Sequence, residues 1–497
     1  MMPRCVRSIA TAILFVALVA LHAAGVARAG AATAPAPAAM VDGRLSAVPI
    51  PANKTRVTSL PGMGPFPAAW NHYGGFVTVN KGTSYLYYYL AQYQGGGGGA
   101  DTATTTAATN DKPLVVWLQG GPGCSGMLAL FTESGPFFLR DDGATLDANP
   151  HPWSAAANVL YVDQPVMTGY SYFAEGGEAT GWVNDEATMA ATMVEFLEGF
   201  YALFPWLRAN GLFLAGESFA GKYIPHLATA ILAANDAATD AAAALPLRGA
   251  LIGDGWTAPL AQTSVVAEQA FMLGLIDGNQ MANATAQFKQ CEALVAAEKW
   301  AEAQVLCDAI SDYVVGCAGG INVNDVRTFD TSLPPWLAGY LNRADVRAAL
   351  GVPAAADGGP TYATCPDPPF NHLAACEMKP AQQLLPGLFA RMPVLLYSGQ
   401  FDLNCGVAGT EKYLAALEWP GAGAYAAAPR SVWRTAPGST VGAGNTTVAG
   451  YVRGPVMNLT QLVVLGAGHL VPKNQPQNAL AMLATFIAGK PFAGTAA

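Results

Sequence analysis

Gly211-Leu212-Phe213-Leu214-Ala215 runs directly into Gly216-Glu217-Ser218-Phe219-Ala220-Gly221. The first five residues are continuously apolar instead of alternating, the pattern of a short strand buried on both faces. The next six break that strand with small residues, and Tyr223–Ala234 then carries a helical pattern. A serine in such a strand-to-helix turn is pushed out beyond the sheet's end, and small neighbours let other backbone come close to its hydroxyl. The second small position is Ala220, not glycine. The turn alone therefore fits a plain turn serine as well as a nucleophile, and the rest of the chain has to decide.

Similar short apolar runs recur at Pro113–Leu118, Val159–Val162, Ala250–Ile252, Val394–Tyr397 and Leu462–Leu465, and helical patterns such as Asn184–Leu203 separate several of them. Strands alternating with helices imply an α/β fold with a mostly parallel central sheet and helices on both faces. A serine elbow on such a sheet is the α/β-hydrolase arrangement. Gly75–Val79 and Tyr85–Leu90 read as a hairpin about the Lys81-Gly82 turn. Between Trp256 and Pro335 the rhythm stops in a helical, cysteine-containing block, as in Glu292–Ile310, expected to be a cap inserted over the active face. The expected organisation is a signal peptide at 1–29, the first part of the hydrolase core at 30–255, the helical cap insertion at 256–335 and the second part of the core at 336–497. Gly30–Pro51 is Ala/Pro-rich and expected to be disordered, and Gly95–Asn110 is a low-complexity Gly/Ala/Thr loop.

The chain of 497 residues is only 12% charged, with a formal net charge of −9. Arg4 and Arg7, the apolar run Ile9–Val26 and the small residues of Ala27-Arg28-Ala29 are expected to form a cleaved secretory signal, the alternative being an uncleaved anchor, since the run approaches membrane-spanning length. Its removal takes three arginines and no acid, leaving −12. Without basic clusters, such a chain is a poor nucleic-acid binder. Once the signal is gone, no segment is left to hold it in a membrane. Asn53, Asn283, Asn445 and Asn458 each begin an Asn-x-Ser/Thr sequon, in keeping with the secretory route and an extracellular, vacuolar or lysosomal destination. The mature cysteines are Cys124, Cys291, Cys307, Cys317, Cys365, Cys376 and Cys405. They offer no zinc-like spacing, so no metal or other cofactor is expected, and their odd number leaves one thiol over.

A serine hydrolase on this sheet needs an acid and a histidine later in the chain. Asp402 follows the strand at Val394–Tyr397, in Ser398-Gly399-Gln400-Phe401-Asp402; His469 follows that at Leu462–Leu465, in Gly466-Ala467-Gly468-His469. Both lie just past a strand's C-terminal end, where catalysts of open α/β sheets collect. His22 falls in the signal, and His72, His151, His226 and His372 lack such a setting. In these roles neutral His469 takes the proton of Ser218 while Asp402 fixes its tautomer. Gln119-Gly120-Gly121-Pro122-Gly123 follows the strand ending at Leu118, and the amides of Gly121 and Phe219 are the candidate oxyanion hole.

Trp117-Leu118-Gln119-Gly120-Gly121-Pro122-Gly123-Cys124-Ser125, Gly216–Pro225 and Gly468-His469-Leu470-Val471-Pro472 resemble the three signatures of the serine carboxypeptidase family; Asp163-Gln164-Pro165 with Gly169-Tyr170-Ser171-Tyr172 resembles a fourth segment. The likeness extends from about Tyr73 to Phe492 and is greatest to the vitellogenic-carboxypeptidase-like branch and related plant members, through Gln119, Gly399-Gln400-x-Asp402 and Val448–Val452. It implies removal of C-terminal residues from peptides and proteins at acidic pH. It also implies that Gln119, Gly120 and Glu217 bind the substrate's free carboxylate, and that Glu133 shares a proton with Glu217. Two close carboxyls cannot both ionise cheaply, and the shared proton can donate to the substrate. By the same resemblance Cys124 bridges to Cys365 or Cys376, a bridge forms among Cys291, Cys307 and Cys317, and Cys405 is the leftover thiol. The chain departs from the family at Gln119, where Asn is usual, at Met167 for Gly and at Leu470 for Met. The alternatives are an acyltransferase of the same family, which tends to lose the carboxylate-binding amide retained here as Gln119, and a non-enzymatic stabilising partner. Oligomeric state and residue preference have no signature.

Overall fold

The computed structural model describes residues 53–95, 110–240, 244–330, 333–435 and 447–492 and the strand Gly494–Thr495. The expected signal, the Ala/Pro-rich segment and most of the Gly/Ala/Thr loop lie outside these residues. The strands that position the site are β1 (His72–Val79), β2 (Ser84–Ala91), β3 (Leu114–Leu118), β4 (Asn158–Val162), β5 (Leu212–Glu217), β6 (Leu247–Gly253), β7 (Val394–Gly399), β8 (Arg430–Thr435), β9 (Thr447–Val456) and β10 (Leu459–Val464). They belong to one 13-stranded sheet in the order β1-β2-β4-β3-β5-β6-β7-β10-β9-β8, extended at the margins by Thr55–Val57 and Gly494–Thr495, with Tyr172–Phe173 pairing on β2.

Six neighbouring strands, β4 to β10 along that order, pair in parallel. Both wings are antiparallel. The expectation of a mostly parallel sheet thus holds for the centre and not for the margins. The reason is connection length: β1 and β2 are joined by a short turn at Asn80–Thr83, and β9 and β10 by a tighter one, which only antiparallel neighbours allow.

Why the central strands are continuously apolar is plain from their two faces. Leu114, Val116, Leu118, Leu160, Leu214, Val394 and Leu396 enter one core with the helices α2 (Glu186–Leu203) and α3 (Ala220–Ala237). Val115, Trp117, Val159, Tyr161, Phe213, Ala215, Leu395 and Tyr397 enter a second core on the opposite face, against α1 (Gly126–Thr132) and α7 (Pro476–Ile487). Each Val or Leu so buried contributes about 1.5–3 kcal/mol relative to exposure.

Residues 256–335 contain α4 (Pro259–Met272), α5 (Gly278–Ala296) and α6 (Trp300–Cys317) around a third apolar cluster that includes Val266, Ala284, Ile310 and Val314. The single helical run read at Glu292–Ile310 is two helices, broken at Ala297–Lys299 where Glu298 adopts a left-handed φ of 55°. Cys291 and Cys307 bridge α5 to α6, and Cys124 pairs with Cys365. Cys405 lies in no disulfide, as expected, but neither does Cys376, so a single leftover thiol was too few.

The chain leaves β3 to build β4 on one side and β5 on the other. A crevice therefore opens at the C-terminal ends of β3 and β5, the switch point where ligands of open α/β sheets bind.

Candidate active site

Ser218 stands at that crevice with φ of +62°, a left-handed conformation that non-glycine residues rarely adopt. Backbone bonds over-determine it: its N–H donates to Gly253 O (3.0 Å) and Asp254 O (3.1 Å), and its carbonyl accepts from Gly221 N (2.8 Å) and Trp256 N (2.7 Å). Strain held in this way by surrounding structure is typical of functional turns. The loop after β3 comes close enough that a Cβ on Gly120 would lie 2.6 Å from Ser218 Cβ and 2.7 Å from Phe219 N. Only glycine fits there. Gly121 has φ of +116°, and among the described residues neither its amide nor that of Phe219 has an acceptor. Two amide donors without an acceptor thus lie beside the serine, a geometry able to hold a developing oxyanion.

Asp402 and His469 arrive from the ends of β7 and β10, which are neighbours in the sheet. His469 Nδ1 lies 2.7 Å from Asp402 Oδ2, and both residues are buried. The other carboxylate oxygen of Asp402 accepts from the amides of Asn404 (2.9 Å) and Cys405 (3.2 Å). With Oδ1 occupied by two backbone amides, Oδ2 is the oxygen that faces Nδ1, so a proton on Nδ1 would leave Nε2 as the acceptor. Among the described residues the Ser218 hydroxyl makes no hydrogen bond, to His469 or otherwise; such contacts often form only with substrate present.

The amide of Gln119 is oriented from both ends. Trp117 Nε1 donates to its Oε1 (2.8 Å) and its Nε2 donates to Glu217 Oε1 (2.7 Å), leaving one Nε2 hydrogen uncommitted. Glu217 and Glu133 are fully buried, and Glu217 Oε2 and both oxygens of Glu133 have no donor from elsewhere. Burial foremost pushes Glu133 up to about 7, while burial and then repulsion by Glu133 push Glu217 well above the ordinary carboxylate range.

Three residues of this neighbourhood were not read from the sequence. Asp254, at the end of β6 with φ of 41°, is fully buried, and its carboxyl accepts from Gly399 N at 2.9 and 3.2 Å. Burial and then Asp402 beside it push this carboxyl well above its usual range. Lys222, in the first turn of α3, donates to the carbonyls of Cys376, Glu377 (2.5 Å) and Lys379 (2.8 Å) and so fastens that turn over the serine elbow. Arg327 lies in the segment 256–335, beyond the helix α6. A strand-end Gly-Asp-Gly at 253–255, just past the apolar run Ala250–Ile252 and within the Ser…Asp…His chain order, was the available signal for Asp254.

Ligand atoms of Asp402, Cys405 and His469 lie within 4.8 Å of one another. They make a poor metal set, because Asp402 is already saturated by N–H donors and burial pushes the Cys405 thiol well up, keeping it protonated. Of the sequon residues, Asn283 is exposed on α5. Asn53 and Asn458 are half-buried and bonded to Phe76 N and Phe389 O, and Asn445 lies outside the described residues. Among the described residues no helix is long and apolar enough to cross a membrane.

The comparisons agree with this geometry. The serine carboxypeptidase family profile matches residues 61–489. A probable serine carboxypeptidase CPVL of Dictyostelium discoideum is 34% identical over 390 residues, covering 77% of this chain and 74% of that protein. A venom serine carboxypeptidase of Apis mellifera is 32% identical over 438 residues, covering 85% and 86%. In structure, the prohormone-processing carboxypeptidase Kex1(Δ)p of Saccharomyces cerevisiae superposes with a TM-score of 0.75 at 24% identity, over 88% of this chain and 95% of that one, which establishes the shared α/β-hydrolase fold. With the profile spanning most of its length, the chain belongs to the serine carboxypeptidase family and is a serine-type carboxypeptidase.

Proposed function

We propose that the chain removes C-terminal residues from peptides at acidic pH through an acyl-enzyme on Ser218. The Ser218 hydroxyl attacks the last peptide carbonyl while its proton passes to His469 Nε2. The oxyanion is held by the amides of Gly121 and Phe219. His469 then gives that proton to the departing residue's amine, and water, activated by the same nitrogen, hydrolyses the ester. Asp402 keeps the imidazole in the tautomer this requires.

The observation that carries the reading is the oriented amide of Gln119 beside the buried Glu217 and Glu133 carboxyls, both pushed above the ordinary carboxylate range. Together with Gly120 they offer donors to a free α-carboxylate next to the nucleophile. Ionisation of the pair at higher pH turns attraction into repulsion, which limits activity toward alkaline pH. The retained amide favours peptide hydrolysis over acyl transfer to alcohols. The secretory signal at 1–29 and the sequons, Asn283 the most exposed, support a secreted, vacuolar or lysosomal glycoprotein. Kinetics on an N-blocked dipeptide and its C-terminally amidated twin test the reading. The free acid is cleaved with the lower KM at acidic pH, and equal KM values for both would refute the carboxylate clamp.

A further inference from the structure

Cap residues 322–328 form a small loop closed on itself, with Asn322 N donating to Thr328 O (2.8 Å), Thr328 N to Asp325 O (3.0 Å) and Asp325 N to Asn322 O (3.1 Å). This loop reaches across to both catalytic loops. Its Asn324 carbonyl accepts from the backbone N–H of His469 itself (2.7 Å). Val323 O accepts from Leu403 N (3.0 Å) and Val326 N donates to Phe401 O (3.1 Å), so the residues on either side of Asp402 are both held. Gly468 packs so tightly on the loop that a Cβ there would lie 2.6 Å from Asp325 Cβ.

One side chain ties these contacts together. Arg327 grips Asp325 with two bonds, Nε to Oδ1 (2.7 Å) and Nη2 to Oδ2 (2.6 Å), while Nη1 donates to Gly466 O (2.7 Å). Its guanidinium lies over the Phe401 ring, 4.8 Å from the centroid. It thus touches the cap loop, the histidine loop and the acid loop at once. The Arg327 side chain is about one-third exposed, at 35%, and an ion pair so placed adds little to global stability. Its geometry instead fixes where the two loops sit relative to one another.

We propose that Arg327 is a positioning residue: it staples the cap loop 322–328 across the acid and histidine loops and so sets the register of Asp402 against His469. The cap is then part of the catalytic machinery's support and not only a cover. Lysine keeps the charge and could still sit over the ring, but it offers neither the fork nor planar stacking on Phe401.

The proposal rests on the triad assignment above, and the test separates the two. kcat, KM and Tm are measured for the full chain with Arg327→Ala, Arg327→Lys and His469→Ala, on both the free-acid and the amidated substrate. Because displacements near 1 Å in a catalytic site cost about 10²-fold, Arg327→Ala is expected to lower kcat at least about tenfold on both substrates. KM stays within about twofold, Tm changes by at most a few degrees, and Arg327→Lys falls between the two. An Arg327→Ala enzyme with unchanged kcat, or one whose loss lies in KM, overturns the staple, as does an Arg327→Lys enzyme that retains its Tm and kcat in full. If His469→Ala retains activity, the triad assignment has failed instead.

Discussion

Replacing Glu133 and Glu217 together by Gln removes the shared proton while leaving Gln119 Nε2 an acceptor at position 217, where it now lies 2.7 Å from Glu217 Oε1. In the native enzyme the proton shared by the pair is lost only above about 7, where burial holds Glu133. Once it is lost, the terminal carboxylate of a substrate meets a net negative site. KM for a free-acid dipeptide should then climb with a slope approaching tenfold per pH unit, roughly 15-fold between pH 7 and 8.5 for one group titrating near neutrality. The double Gln variant keeps its donors at every pH, and its KM should vary less than about twofold over that range. The amidated twin should show no such rise in either enzyme. Stability follows the same proton. Both pKa values are raised on folding, so the pair's contribution is complete below the ordinary carboxylate value of 4.5 and fades as pH rises through about 7. Steady-state kinetics from pH 4.5 to 8.5, with thermal melts in the same buffers, read both effects. A KM profile in the double variant that still rises as in the wild type refutes the reasoning.

Gly120→Ala would place a methyl 2.6 Å from Ser218 Cβ, and kcat should fall about 10²-fold or more while the fold, checked by circular dichroism, persists. Asp254→Asn keeps an acceptor for the Gly399 amide and should stay within about tenfold of wild-type activity, whereas Asp254→Leu strands that amide and should lose about 1–3 kcal/mol of stability in denaturant melts. The Cys405 thiol is 1% exposed and kept neutral, so a bulky mercurial should modify it slowly in the native enzyme and rapidly after unfolding; fast native labelling at Cys405 would contradict the buried placement.

What the sequence made legible follows from the physics of each element. Strands buried on both faces announce themselves as apolar runs, which is why β3, β5 and β7 and the residues at their ends could be read directly. Candidate catalytic residues at strand ends inherit that legibility, as Asp402 and His469 do. The antiparallel wing of β8 and β9 was missed because its strands are half-exposed and carry Gly, Arg and Thr instead of an apolar run. The break between α5 and α6 carries neither Gly nor Pro; a left-handed Glu298 ends the helix without a compositional signal. Asp254 and Arg327 were not legible for a different reason. Their partners Gly399 and Gly466 lie 145 and 139 residues away, so a local pattern such as the Gly-Asp-Gly at 253–255 can flag a residue without saying what it holds.

The central claim is that Ser218 is the covalent nucleophile, set in its strained turn between β5 and α3. Mass spectrometry of the enzyme after an organophosphate, with kcat/KM on the free-acid dipeptide for wild type and Ser218→Ala, tests it most directly. A single adduct on the peptide carrying Ser218 is expected, absent from a folded variant whose kcat/KM has fallen by at least about 10⁴-fold. An adduct on another residue, or a folded Ser218→Ala enzyme that retains more than about 1% of activity, would contradict the account.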